Sequence, residues 1–286
     1  MAEANNTGPV SGRKVFFVNT SFAVTSTLVP ELRDREFEVY TVESYKDIKN
    51  MLRQNPDSIC LFNTDSQLSP AAWVSFFRSF KKEIALRSAI IGILSDRMKE
   101  GEDHLFKDEN VEYKAGIHTV GKDLNVLTNT MEMLLTDLGA KGRRQYVRVS
   151  CFKEKKTLLF WMSDTDRRNI MHQMKILDIS SMTVAVKVPE TLERELFEGK
   201  VLSSCNLVLN SKQTIADLRV FMIKKTPHGK VAILLLDDTT GSPIRTIIKK
   251  FIAETLQNNM ILSINDMSRD NEDYAEQAKI DKLPLE

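Results

Sequence analysis

Two short stretches carry the residue types that could bind a nucleotide. Residues 143–148 read Arg-Arg-Gln-Tyr-Val-Arg and place Arg144 and Arg148 four positions apart, and residues 178–183 read Asp-Ile-Ser-Ser-Met-Thr. A guanidinium group can grip phosphate oxygens or the O6/N7 edge of guanine, whereas a carboxylate accepts from the amino and imino groups of that base. These residues predict a receptor for a guanine-bearing phosphodiester and give no sign of a catalyst.

The first half of the chain has the pattern of a parallel sheet. Short apolar runs alternate with helix-like segments, which predicts an α/β domain with helices on both faces of a doubly wound sheet. The expected strands are 15–18, 37–40, 59–62, 89–94 and a weaker run within 111–120, and the expected helices are 45–52, 71–80 and 124–138.

After a Gly-Ala-Lys-Gly break at residues 139–142, the pattern changes to apolar alternation. Short strands with few helices indicate a small antiparallel barrel or a sandwich. The expected strands are 146–151, 157–161, 174–177, 184–188, 205–209, 215–223 and 230–236. Residues 239–243 then open a helix with an apolar face made of Ile244, Ile247, Ile248, Phe251 and Ile252.

These patterns divide the 286 residues into segments, and two of them are long enough to bury a core each. They are a disordered N-terminus (1–13), the α/β domain (14–138), a linker with the arginine motif (139–144), the β-barrel domain (145–258) and an acidic tail (259–286).

Charge is distributed unevenly along the chain. Residues 1–137 hold 16 Lys/Arg and 20 Asp/Glu, residues 138–265 hold 21 and 12, and the last segment holds 3 and 7, giving net charges of −4, +9 and −4. The basic middle block predicts an anionic partner. The sequence also predicts a soluble cytoplasmic protein, because it has three scattered cysteines, no signal peptide and no run of ~20 apolar residues. We expect no metal, no cofactor and no membrane contact.

The arginine run, the Asp-x-Ser turn, the alternating strands and the closing helix together resemble the PilZ domain, over about residues 140 to 258. Arg144 and Arg148 match the RxxxR motif of that family, with Arg143 beside them, and Asp178 and Ser180 match its (D/N)xSxxG motif. The resemblance implies a six-stranded barrel that binds cyclic di-GMP. It implies the ligand-binding residues Arg143, Arg144, Arg148, Asp178, Ser180 and Thr183.

Thr183 occupies the position at which the family pattern has glycine. A β-branched residue resists the conformations open to glycine and favours continuation of a strand. One interpretation is a signalling effector: cyclic di-GMP orders a mobile linker, the two domains reorient, and contact with a downstream protein changes. The resemblance to the family implies that the process controlled is motility. The other reading is a nucleotide-independent adaptor with a silenced pocket, and restoring glycine at Thr183 separates the two.

The N-terminal half resembles a response-regulator receiver domain in strand order and length. Phosphorylation there needs acidic residues that hold Mg²⁺ and an acceptor aspartate. Residues 19–21 read Asn-Thr-Ser and the third strand ends at Asn63, so the acidic pocket is missing. Asp65 is interpreted as a loop residue that caps a turn. We therefore expect a module for protein contact, which leaves a homodimer through this domain open.

A nucleic-acid-binding protein is the competing class, because the basic block includes Lys153, Lys155 and Lys156. It is disfavoured because the aromatic residues form no stacking stripe. Trp73 and Trp161 are interpreted as packing residues, although Trp161 near the barrel rim could contact a base. The four histidines lie in no catalytic or metal-binding motif, so an enzyme is not expected.

Overall fold

The computed structural model describes residues 11–99, 101–121, 123–165, 168–227, 229–236 and 242–268. They form two compact units, divided between Gln145 and Tyr146 and again between Leu256 and Gln257. Three segments named in the sequence analysis lie wholly or partly outside the described residues. They are part of the expected disordered terminus, the helix-opening residues 239–241 and most of the expected acidic tail.

The first unit contains a five-stranded parallel sheet. Its strands are β1 (Val15–Val18), β2 (Val39–Val42), β3 (Ile59–Phe62), β4 (Ile90–Ser95) and β5 (Ile117–Thr119). Their order is β2-β1-β3-β4-β5, which is the order of flavodoxin-like doubly wound sheets. The predicted α/β architecture is confirmed, whereas the receiver-like identity of this unit stays a prediction.

Helices connect the strands of this sheet. They are α1 (Val29–Asp34), which continues a π-helical segment (Val24–Leu28), α2 (Tyr45–Gln54), α3 (Pro70–Lys82) and α4 (Leu124–Asp137). Ser44, Ser69 and Asp123 cap the last three by accepting backbone N–H groups of the first turn. None of the helices in the described segments is both long and apolar enough to cross a bilayer.

The second unit is built on a closed antiparallel barrel. Its strands are β6 (Arg148–Ser150), β7 (Thr157–Thr165), β8 (Arg168–Ser180), β9 (Thr183–Lys187), β10 (Val201–Leu209), β11 (Lys212–Thr226) and β12 (Gly229–Leu236). The pairing of β8 with β9 closes a barrel of six strands, and β6 adds beside β8. Of the barrel and the sandwich that the alternation allowed, the barrel is therefore the one observed.

A helix and a loop complete the core of the barrel. Helix α5 (Ser242–Ser268) buries Ile248, Phe251 and Ile252 against inward-facing strand residues, as the sequence predicted. The segment between β9 and β10 adds Leu192 and Leu196 to the same core. Helix α5 continues to Ser268, so residues 259–268 of the expected acidic tail are helical.

The end of α4 is held by a Schellman motif and by the start of the described chain. Gly139, with φ of +78°, donates to the Thr136 carbonyl (3.0 Å), and Ala140 donates to the Leu135 carbonyl (2.8 Å). Arg13 then donates its backbone N–H to the Gly139 carbonyl (2.9 Å). The first part of the predicted linker is thus tied to the first unit.

Gly12→Ala tests this connection. A Cβ at Gly12 would lie 1.9 Å from the Ala140 carbonyl oxygen, so the two backbone segments must separate. We expect a loss of about 1–3 kcal/mol in unfolding free energy, typical of overpacking, read as a lower urea midpoint. Gly121→Ala is the matched control, because a Cβ there meets nothing within 4 Å. Equal midpoints for the two variants would contradict the close approach.

Candidate functional site

The pairing of β6 with β8 builds the face that carries the predicted ligand-binding residues of the barrel. Val149 lies opposite Ile179, and both side chains are buried in the core. Ser150 lies opposite Asp178, and Arg148 begins β6. Because side chains alternate across a strand, Arg148, Ser150 and Asp178 lie on the outer face of the barrel.

A β-bulge in β8 places Asp178 on that face. Against β9, Ile176 pairs with Val186 and Asp178 pairs with Ala185, so Leu177 is the extra residue. With uninterrupted alternation, Asp178 would follow the buried Ile176 into the core. The bulge turns the carboxylate outward and returns Ile179 to the core.

Arg148 and Asp178 form an ion pair across the two strands, with 3.9 Å between Nη1 and Oδ1. The side chains are 38% and 36% exposed, and their positions are diagonal in the β6–β8 register. An exposed ion pair of this kind contributes at most about 1 kcal/mol. A ligand that offers both groups new partners can therefore replace the pair at little cost.

Ser180 and Thr183 form the turn between β8 and β9. The Ser180 hydroxyl oxygen accepts the backbone N–H groups of Thr183 (2.9 Å) and Met182 (3.3 Å), and it lies 2.9 Å from the Thr183 hydroxyl. Ser180 is fully buried. Ser180 pairs directly with Arg148 in the β6–β8 register, but its hydroxyl is engaged by the turn and is closed to solvent, so its effect on a ligand is to hold the turn that follows Asp178.

Thr183 fits the turn without needing the conformational freedom of glycine. It begins β9, pairs with Leu235 of β12 and is not among the residues with positive φ. The backbone at this position is therefore one that a β-branched residue adopts readily.

Arg143 and Arg144 are exposed and belong to the first unit, just before the boundary at Gln145. The structure therefore brings together four of the six predicted residues within the barrel unit: Arg148, Asp178, Ser180 and Thr183.

Cys151 lies directly beneath this face. Its backbone N–H donates to the carbonyl of the bulged Leu177 (2.8 Å), and its side chain is buried. Burial, followed by the charges of Asp178 and Glu154, raises the pKa of the Cys151 thiol to about 12. The thiol stays protonated at neutral pH and packs as an apolar group.

Trp161 is not placed to contact a base. Its ring is 6% exposed and stacks on His172 with 5.7 Å between centroids, and the Lys200 ammonium lies 4.9 Å from the indole centre. Trp161 is therefore a packing residue, as the sequence indicated, because inward alternation on β7 turns this side chain into the core, where it is not available to a base.

In the first unit, the segments that follow β1, β3 and β4 are hydrogen-bonded to one another. The Asn19 side-chain amide, after β1, donates to the Asn63 carbonyl (3.0 Å) and the Ser66 hydroxyl (3.1 Å). Asp65 accepts the backbone N–H of Asp96 (2.7 Å) and the Ser95 hydroxyl. Asp65 thus joins the loop after β3 to the end of β4, a long-range link that differs from the local turn cap inferred from the sequence. Among the described residues, no group of three or more His, Cys, Asp and Glu side chains could hold a metal ion.

These hydrogen bonds of Asp65 predict that the first unit does not accept phosphate. Incubation with acetyl phosphate and Mg²⁺ should leave the intact mass of the protein unchanged, because Asp65 is already hydrogen-bonded to two groups. Mass spectrometry of the wild type and of Asp65→Asn checks this result. Addition of a phosphoryl group to the wild type, and not to Asp65→Asn, would contradict it.

Comparison with known proteins returns PilZ domains for the C-terminal part. The PilZ domain of Escherichia coli YcgR, with cyclic di-GMP, is 14% identical, and the match covers 41% of this chain and 93% of that one with a TM-score of 0.33. Bacillus subtilis MotI, an inhibitor of motility, is 17% identical with coverages of 41% and 52% and a TM-score of 0.33. The K. pneumonia MrkH complex with cyclic di-GMP is 17% identical with coverages of 41% and 54% and a TM-score of 0.33.

The C-terminal part is therefore similar to PilZ domains, and the likeness concerns the fold alone. The match spans about half the length of MotI and MrkH. No family model matches the chain, and no curated protein matches it.

Proposed function

We propose that this chain is a cyclic di-GMP-binding signalling effector whose barrel binds the nucleotide on the outer face of β6 and β8. The observation that carries the proposal is the exposed ion pair between Arg148 and Asp178, placed on one face by the β6–β8 register and the bulge at Leu177. A cation and an anion side by side match a ligand that contains both phosphates and guanines.

Each group has a specific partner in such a ligand. The Arg148 guanidinium can donate to phosphate oxygens or to guanine O6 and N7, and the Asp178 carboxylate can accept from guanine N1–H and the 2-amino group. Arg143 and Arg144, just before the barrel, add positive charge to a block that carries +9 in residues 138–265 (21 Lys/Arg, 12 Asp/Glu). Ser180 and Thr183 act through the turn that they hold.

Signalling is the second part of the proposal. The arginine pair spans the boundary between the two units, since Arg144 precedes Gln145 and Arg148 begins β6. A ligand that engages both arginines would restrict residues 144–148 and so change the orientation of the units. We propose that a partner responds to this change in the cytoplasm. The partner is a downstream protein or a second copy of the chain bound through the first unit, and the process controlled is motility. YcgR and MrkH were solved with the same ligand.

The adaptor with a silenced pocket is the second candidate. It is favoured by the burial of Ser180 and by the hydrogen bond between the Ser180 and Thr183 hydroxyls, so Asp178 is the residue of the second motif that the face presents to a ligand. The adaptor predicts that wild type does not bind and that Thr183→Gly does. The effector predicts that wild type binds and that Thr183→Gly gains nothing, because the backbone at Thr183 does not need glycine.

Calorimetric titration with cyclic di-GMP tests the proposal. Arg148→Ala and Asp178→Asn should each weaken binding at least about tenfold, because each removes a charged hydrogen-bond partner. Lys224→Ala is the matched control, since it removes one positive charge from an exposed position on β11 and should leave the affinity unchanged.

Two further titrations define the ligand. GMP should bind more weakly than the dinucleotide, and a short oligonucleotide should not compete. Wild-type affinity in both Arg148→Ala and Asp178→Asn would contradict the site. Salt-sensitive binding of oligonucleotides without a saturable cyclic di-GMP isotherm would instead identify a nucleic-acid-binding protein.

A further inference from the structure

We propose that Phe152 is a stacking platform for one guanine of the bound dinucleotide, and so a specificity-determining residue of the site. This inference rests on the proposed function and adds a contact that neither sequence motif contains. It makes the ring, together with Arg148 and Asp178, the part of the barrel that distinguishes a purine dinucleotide from other phosphodiesters.

Phe152 lies in the bend that follows β6, two residues beyond Ser150 on the strand that carries the ligand-binding face. Exposure alternates along β6 and just beyond it, since Arg148 and Ser150 are exposed whereas Val149 and Cys151 are buried. The hydrogen bond from Cys151 N–H to Leu177 O continues the contact with β8 past the end of β6. Phe152 follows directly after this contact, and its exposure continues the alternation of Arg148 and Ser150.

The backbone at Phe152 is held by hydrogen bonds, and the ring is open to a ligand. Phe152 is 80% exposed, so both faces of its ring are accessible to a ligand. A tight turn fixes its backbone, with Phe152 N–H donating to the Ser150 hydroxyl (3.5 Å) and Glu154 N–H donating to the Cys151 carbonyl (3.1 Å). Lys175 on β8 donates its ammonium to the Glu154 carbonyl, which fastens the turn to the barrel.

The charges around Phe152 fit an anionic aromatic ligand. Lys153, Lys155 and Lys156 follow it in the same loop, and all three are exposed. Cations beside an exposed aromatic ring are the combination that binds nucleotides, because the cations attract phosphate and the ring stacks on a base. A purely apolar protein partner would not be favoured by this surrounding charge.

Calorimetry and fluorescence on the full chain test the platform. Phe152→Ala should weaken cyclic di-GMP binding about tenfold, the effect of losing one stacked base. Phe152→Trp should keep the affinity, and its indole emission should be quenched when cyclic di-GMP is added. The native Trp73 and Trp161 are buried and give the background signal in wild type. Phe221→Ala, at a residue 54% exposed on β11, is the control and should bind as wild type does.

The outcomes separate this inference from the proposed function. If Arg148→Ala weakens binding while Phe152→Ala binds as wild type and Phe152→Trp is not quenched, the platform is wrong and the receptor stands. If wild type shows no saturable binding of cyclic di-GMP, both fail. Circular dichroism of Phe152→Ala should match wild type, because the side chain removed is exposed.

Discussion

The candidate site depends on the register between β6 and β8. Val149 and Ile179 face the core at paired positions, and this fixes the outward direction of Arg148 and Ser150 on one strand. On the other strand the bulge at Leu177 is needed to bring Asp178 to the same face. A change of one residue in this register would send the arginine and the aspartate to opposite sides of the sheet, since the side-chain period of a strand is two.

The ion pair at this position fits the proposed receptor role. An exposed Arg148–Asp178 pair contributes little to stability, so a ligand that supplies phosphate and guanine edges loses little when it separates them. The turn after Asp178, in contrast, is buried and supports the structure. Ser180 is buried and hydrogen-bonded to two backbone N–H groups, which keeps the end of β8 rigid. A rigid support beneath exposed charged groups limits the ordering that binding requires.

Periodicity predicted the fold well and the detail of the site less well. Seven alternating segments after residue 142 correspond to β6–β12, because inward residues such as Leu159 and Leu207 must be apolar to fill the barrel. The bulge could not be predicted from the sequence. It is visible only in the way that β8 pairs with β9, where Leu177 is the extra residue before Asp178. The burial of Ser180 was also missed, because a hydroxyl in an Asp-x-Ser sequence can serve a ligand or its own turn equally well. The helix after β1 was not named, since Val24, Thr25 and Thr27 are β-branched and weaken a helical pattern.

Backbone amide chemical shifts during a cyclic di-GMP titration test the central claim most directly. Saturable shift changes should concentrate at Arg148–Phe152 and at Leu177–Asp178, while amides around Trp161 in β7 and Lys200 just before β10 stay unchanged. Changes confined to residues outside the β6–β8 face, or no saturable change at all, would contradict it.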